Sequence, residues 1–222
     1  KEINVNTKKI DAVRRCLDRD YKCQDIAKEK LKHFVSKDAF NIDGLGKKVI
    51  DNFWDLDLIK KPSDIFNLDY SKIKNLEGWG DLSIQNLNKA IENAKTISLN
   101  KFIYSIGIRH IGQENAKILA SFFISIKKFT SLFVKKERKN ILTSLVDLDG
   151  MGETQIKSIE SFFLNTKNIE VVRTLINSLK IVDFKVLNKK GKFSNKNLMF
   201  TGGFEIISRS EAKEIVEKNG GK

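Results

Sequence analysis

Apolar residues recur at helical spacing through most of the chain. Ile50, Phe53 and Trp54 share one face, and Ile84, Leu87 and Ile91 make another stripe. Ala116, Leu119, Ala120 and Phe123 follow the i, i+3, i+4, i+7 pattern of an amphipathic helix. Ile156, Ile159 and Phe163 repeat it, as do Val172, Leu175, Ile176 and Leu179. Strand-like alternation is scarce before residue 180, and the single proline, Pro62, stands before Ser63 where a helix is expected to start. The pattern predicts a mainly α body. Two later stretches depart from it. Residues 185–197, "KVLNKKGKFSNKN", hold five lysines and little that is apolar, and read as a basic, solvated linker. After them "LMFTGG" is a short apolar run ending in a glycine turn. Ser208 and Glu211 then have the S-x-x-E spacing of a capping box before Ala212, Ile215 and Val216, and this helix is expected to stop at Gly220. A strand, a turn and a capped helix suggest the opening of an α/β domain. The start at Lys1 and the finish on "NGGK" are what a fragment of something longer would show.

Glycine pairs punctuate the helical stretches. "IDGLGKK" (42–48), "LEGWGDL" (76–82) and "LDGMGET" (148–154) fit one pattern, apolar-x-Gly-apolar-Gly; "IRHIGQE" (108–114) fits it with His110 in the first glycine slot. The second glycines, Gly46, Gly80, Gly112 and Gly152, are 34, 32 and 40 residues apart. Glycine destabilises a helix interior by about 1 kcal/mol relative to alanine, so such pairs mark helix junctions. A positive φ at the first glycine (Gly44, Gly78, Gly150) permits a tight reversal, and the apolar residue between (Leu45, Trp79, Ile111, Met151) turns inward as an anchor. The backbone N–H groups that open the second helix then face outward as a concavity suited to an anion. This is the helix-hairpin-helix element, which holds DNA phosphates without reading bases. One copy alone looks much like a glycine helix cap followed by another helix.

Charge strengthens the phosphate reading. With 41 Lys+Arg against 28 Asp+Glu the chain carries +13, a balance suited to a polyanion. Lysines outnumber arginines 34 to 7, a skew that a compositional bias of the source would also produce, so the basic balance alone supports nucleic-acid binding only modestly. The candidate DNA-binding residues are Gly44, Gly46, Lys47, Lys48, Gly78, Gly80, Arg109, His110, Gly112, Gly150 and Gly152. Lys47, Lys48, Arg109 and His110 suit phosphate contact, although His110 is equally well read as a packing residue at the junction. Asp81 and Glu153 follow the second and fourth hairpins, which are therefore read as architectural or as offering backbone donors only. His33 is expected to be structural. Hydrophobic residues make up 41%, enough for a packed core, and no apolar run approaches the roughly 18 residues of a membrane span. The expectation is an intracellular, monomeric protein without membrane contact.

Cys16 and Cys23 are read either as spare thiols or as half of a metal site, since a structural Zn²⁺ site needs four ligands.

Taken together, the cysteine pair, "LKHFVSKDAFNIDGLG", "LEGWG", "YSIGIRHIG", "LDGMG" and "LMFTGGFEIISRSEAKEIVEKNGGK" resemble bacterial NAD-dependent DNA ligases, over nearly the whole chain from about Ala12. The resemblance implies a C-terminal fragment. It would comprise the second half of a four-cysteine zinc finger (1–30, with Cys16 and Cys23 as ligands), a domain of four helix-hairpin-helix units (31–184), a linker (185–197) and a truncated α/β BRCT segment (198–222). It further implies a grip on nicked double-stranded DNA, independent of sequence, during replication and repair in the bacterial cytoplasm at the nucleoid. The family seals nicks through a lysine in a Lys-x-Asp-Gly motif, adenylated from NAD⁺ with Mg²⁺. No such motif occurs in the chain, where "NIDGLG" has Asn41 in the lysine's place. NAD⁺ and Mg²⁺ are accordingly expected to bind outside it, and the fragment alone to be inactive. The alternative is a stand-alone helix-hairpin-helix module of another repair protein, of excision-nuclease or junction-binding type.

Overall fold

A computed structural model describes residues 23–185, 191–194, 196–202, 204, 206 and 209–221. The apolar stripes become helices α1 (Gln24–Val35), α2 (Lys47–Asp55), α3 (Tyr70–Ile73), α4 (Asp81–Ala94), α5 (Leu99–Ser105), α6 (Gln113–Phe123), α7 (Ile126–Phe129), α8 (Lys135–Leu145), α9 (Glu153–Leu164) and α10 (Thr166–Ser178). Two 3-10 turns, Pro62–Asn67 and Thr130–Phe133, and two strands, β1 (Thr96–Ser98) and β2 (Lys180–Val182), complete this unit, which ends at Phe184; a second unit begins at Lys185.

The stripes face inward as the periodicity predicts: Ile50, Phe53, Leu87, Leu119, Ile159 and Val172 are buried. Aromatic rings thread the core. Phe34 stacks on Phe40 at 4.3 Å, and Phe123, Phe129 and Phe163 form an edge-to-face chain at 5.3 and 5.7 Å. His33 is structural, as expected. Its Nε2 donates to the Tyr104 carbonyl at 2.9 Å, because a carbonyl can only accept, and its ring meets the Tyr104 ring edge-on.

Two local expectations change. The segment at Pro62 is a 3-10 turn rather than an α-helix. The Asp64 carboxylate accepts the N–H groups of Lys60 and Lys61, at 3.0 Å each, and ties the turn back onto the residues before the proline. The parallel pair β1–β2, with Ile97 opposite Ile181, joins segments more than eighty residues apart. Three residues per strand leave no alternation to be seen in sequence.

A buried charge fastens the later helices. Arg138 on α8 is 6% exposed, and its Nη1 donates to the carbonyls of Leu132 (2.9 Å) and Phe163 (2.7 Å). The α8 helix is thereby tied to the preceding 3-10 turn and to the end of α9. Arg138→Lys keeps the charge but loses the planar fork, and is expected to cost about 1–2 kcal/mol in urea unfolding.

In the second unit, α11 (Arg209–Lys218) forms where the sequence predicts a helix and ends as predicted. Gly220 takes φ +82, and the Gly221 N–H returns to the Val216 carbonyl at 3.0 Å. The expected strand at 198–200 does not form among the described residues: ladder hydrogen bonds need a neighbouring strand, and none lies in this unit's described part. Ser208 and the Glu211 side chain, the expected capping box, lie outside the described residues.

Candidate nucleic-acid interface

The four glycine turns share one backbone geometry. In each, the anchor N–H donates to the carbonyl three residues back: Leu45 to Ile42 (3.3 Å), Trp79 to Leu76 (3.1 Å), Ile111 to Ile108 (3.1 Å) and Met151 to Leu148 (3.0 Å). The residue just before each anchor is left-handed, with φ +89 at Gly44, +82 at Gly78, +63 at His110 and +86 at Gly150. Leu45, Ile111 and Met151 are buried as the pattern predicts. Trp79 is half-buried against Phe53, ring centroids 5.3 Å apart.

The second glycine of each pair is the N-cap of the following helix. Gly46, Gly80, Gly112 and Gly152 precede α2, α4, α6 and α9 with φ between −66 and −87 and ψ near 180°, extended backbone open to any residue. None of the four helices has a side-chain cap, so no cap side chain accepts from the N–H groups of the first turn. Nor does packing demand glycine there. A Cβ built on Gly46, Gly80 or Gly112 would meet nothing within 4 Å, and on Gly152 only the Gln155 Oε1, at 3.1 Å. Serine or aspartate would fit and would cap the helix better. What glycine leaves is a clear approach to uncapped amides.

The hairpins interlock in reciprocal pairs. In the first pair a Cβ on Gly44 would touch Leu87 of α4 at 3.4 Å, while Trp79 packs on Phe53 of α2. In the second pair a Cβ on Gly150 would strike the Ile118 Cδ1 of α6 at 2.7 Å, while His110 reaches Ser158 of α9, Nδ1 to Oγ 2.9 Å. Each hairpin is seated on the helix that its partner hairpin opens. The pairing sets adjacent hairpins against one another, and the chain order alone does not reveal it.

The copies differ in the charge that stands beside them. Lys47 and Lys48 are exposed and make no ion pair to another described residue. Arg109 and His110 are exposed at the third hairpin. The Ser158 hydroxyl donates to the Thr154 carbonyl at 2.9 Å, so His110 Nδ1 carries the proton it shares with Ser158 and Nε2 is turned away from that bond. His110 therefore both locks the junction and stays exposed; the two readings of it are compatible. Asp81 pairs with Lys74 at 2.9 Å and Glu153 with Lys157 at 2.5 Å. The hydrogen bond from Lys157 holds the Glu153 carboxyl below its ordinary value. These lysine partners cover the two acids, and the i, i+4 spacing of Glu153 and Lys157 was the available signal.

Cys23 is the half-buried N-cap of α1, with a free thiol. Cys16 lies outside the described residues. Among the described residues no group of three or more His, Cys, Asp or Glu could hold a metal ion.

Residues 101–172, spanning the third and fourth hairpins, match the family model described as "Helix-hairpin-helix motif". Over all 222 residues the chain is 52% identical to the DNA ligase of Pelagibacter ubique (strain HTCC1062), of which it covers 32%. Along its whole length the chain resembles part of bacterial DNA ligase. The DNA ligases of Rickettsia bellii (strain OSU 85-389) and Rickettsia typhi (strain ATCC VR-144 / Wilmington) are 39% and 40% identical over 220 residues, 96% of this chain and 32% of each relative. The chain thus spans about a third of the length of the curated relatives it matches. The resemblance to DNA ligase includes the first two hairpins and the second unit, beyond the segment that the motif model covers.

Proposed function

We propose that this chain is the DNA-gripping portion of an NAD-dependent DNA ligase, holding nicked duplex DNA through its phosphates without regard to sequence. The observation that carries the reading is the set of four uncapped helix N-termini behind glycines that neither backbone nor packing requires. Phosphate oxygens can approach these amides directly. The first and third hairpins add Lys47, Lys48, Arg109 and His110, and take the larger share of the charge. In the second and fourth, Lys74 and Lys157 offset the acids, leaving backbone donors as the contact.

Sealing chemistry, with NAD⁺ and Mg²⁺, belongs to parts of the ligase outside this chain, which alone is inactive and monomeric. Cys16 and Cys23 supply two of four zinc ligands, the hairpins occupy 31–184, and 198–222 belongs to a BRCT domain joined by the linker 185–197. Its setting is the bacterial cytoplasm, at the nucleoid.

Titration against a nicked duplex at several salt concentrations tests the grip. Phosphate binding gives a log–log slope of about −0.9 for each phosphate neutralised, hence about −2 or steeper for two engaged hairpins. Unrelated duplexes should give the same affinity. A slope near zero would end the DNA-binding reading.

A further inference from the structure

A second cluster of cations lies away from the hairpins. Between residues 125 and 146 the only acid is Glu137, against Lys127, Lys128, Lys135, Lys136, Arg138 and Lys139. Arg138 is consumed in the core. The five lysines are exposed, and none makes an ion pair with another described residue. Many of the lysines elsewhere in this unit do pair: Lys28, Lys32, Lys60, Lys72, Lys74, Lys95 and Lys157 each hold a carboxylate. The elements that carry the lysines adjoin one another: α7 leads into the Thr130–Phe133 turn, the turn packs on α8, and Arg138 fastens the two together.

Its arrangement works against the isolated fold. Lys135 and Lys136 open α8, where the helix dipole disfavours positive charge. Lys139 stands one turn after Lys135, a like-charge i, i+4 pair. Both penalties become gains once a polyanion is bound. Position also separates the cluster from the hairpins. The third hairpin begins α6 and α7 follows that helix's far end; the fourth hairpin follows α8, whose first turn carries Lys135. The 11 residues of α6, roughly 16 Å of helix, lie between the third hairpin and α7, and roughly 9 Å of α8 lies between Lys139 and the end that leads to the fourth hairpin.

We propose that Lys127, Lys128, Lys135, Lys136 and Lys139 form a further contact surface for the phosphate backbone of duplex DNA, beyond the run held by the hairpins. The proposal rests on the hairpin reading above. Five exposed point charges on adjoining elements suit a uniform line of phosphates.

The test compares the chain with a variant carrying glutamine at the five lysines, using duplexes of about 15 and about 40 base pairs at equal salt. The original chain should bind the long duplex more tightly than site counting allows. The variant should lose that gain, about tenfold or more, and its salt slope should flatten by about 0.9 for each lysine that met a phosphate. On the short duplex the two should agree within about twofold. Equal long-duplex affinity and slope in a folded variant would overturn the proposal and leave the hairpins untouched. Loss of binding in a Gly46→Asp, Gly112→Asp chain, measured alongside, tests the hairpins themselves. A salt-independent original chain would sink both.

Discussion

Gly46→Asp and Gly112→Asp, introduced together, should weaken duplex binding at least tenfold while leaving the fold as stable as before or slightly more so. Both positions are N-caps with ordinary extended dihedrals and open space where a Cβ would go. Aspartate is a better cap than glycine by a few tenths of a kcal/mol, and a negative charge beside the positive helix end is favourable. The folded state therefore has nothing to lose. A bound phosphate has much to lose, since the new carboxylate takes the amides it would use and repels it at close range. Urea unfolding and fluorescence anisotropy on one preparation separate the two effects. Reduced stability with unchanged affinity would mean that these glycines are merely helix caps.

Much of this was legible because the motif acts over short range. A left-handed residue, a buried anchor and a glycine N-cap are set by five consecutive residues, so Gly44–Leu45–Gly46 and its repeats announce themselves in sequence. His110 shows where that reading stops short. Its place in the first slot was visible, yet whether it packs or faces solvent depended on Ser158, 48 residues away on another helix. Asp81 and Glu153 looked repulsive by position; Lys74 and Lys157 change their meaning. The β1–β2 pair and the reciprocal seating of hairpins rest on long-range contacts that no local period encodes. Arg138 was indistinguishable in sequence from the lysines flanking it, and only burial sets it apart.

The two glycines of a hairpin should respond unequally to the same substitution. Gly150→Ala is expected to cost about 1–2 kcal/mol, the cost of a left-handed backbone for an L-residue, with a smaller addition as the end of the Ile118 side chain swings aside. Its φ is +86, and the added methyl would lie 2.7 Å from Ile118 Cδ1 on the partner hairpin's helix. Gly46→Ala meets neither obstacle, with φ −66 and nothing within 4 Å, and loses only glycine's advantage over alanine at an N-cap, about 0.5–1 kcal/mol. Equilibrium urea unfolding of the two variants makes the comparison directly. If Gly150→Ala unfolded no more easily than Gly46→Ala, the seating of the fourth hairpin on α6 would be too loose to hold the pair in register. The asymmetry carries the functional argument as well. The first glycine answers to the fold, through its dihedral and its neighbour, whereas the second holds an N-cap that serine or aspartate would fill better. A weaker cap that recurs in four turns, always leaving the first amides open, is best explained by what approaches from outside.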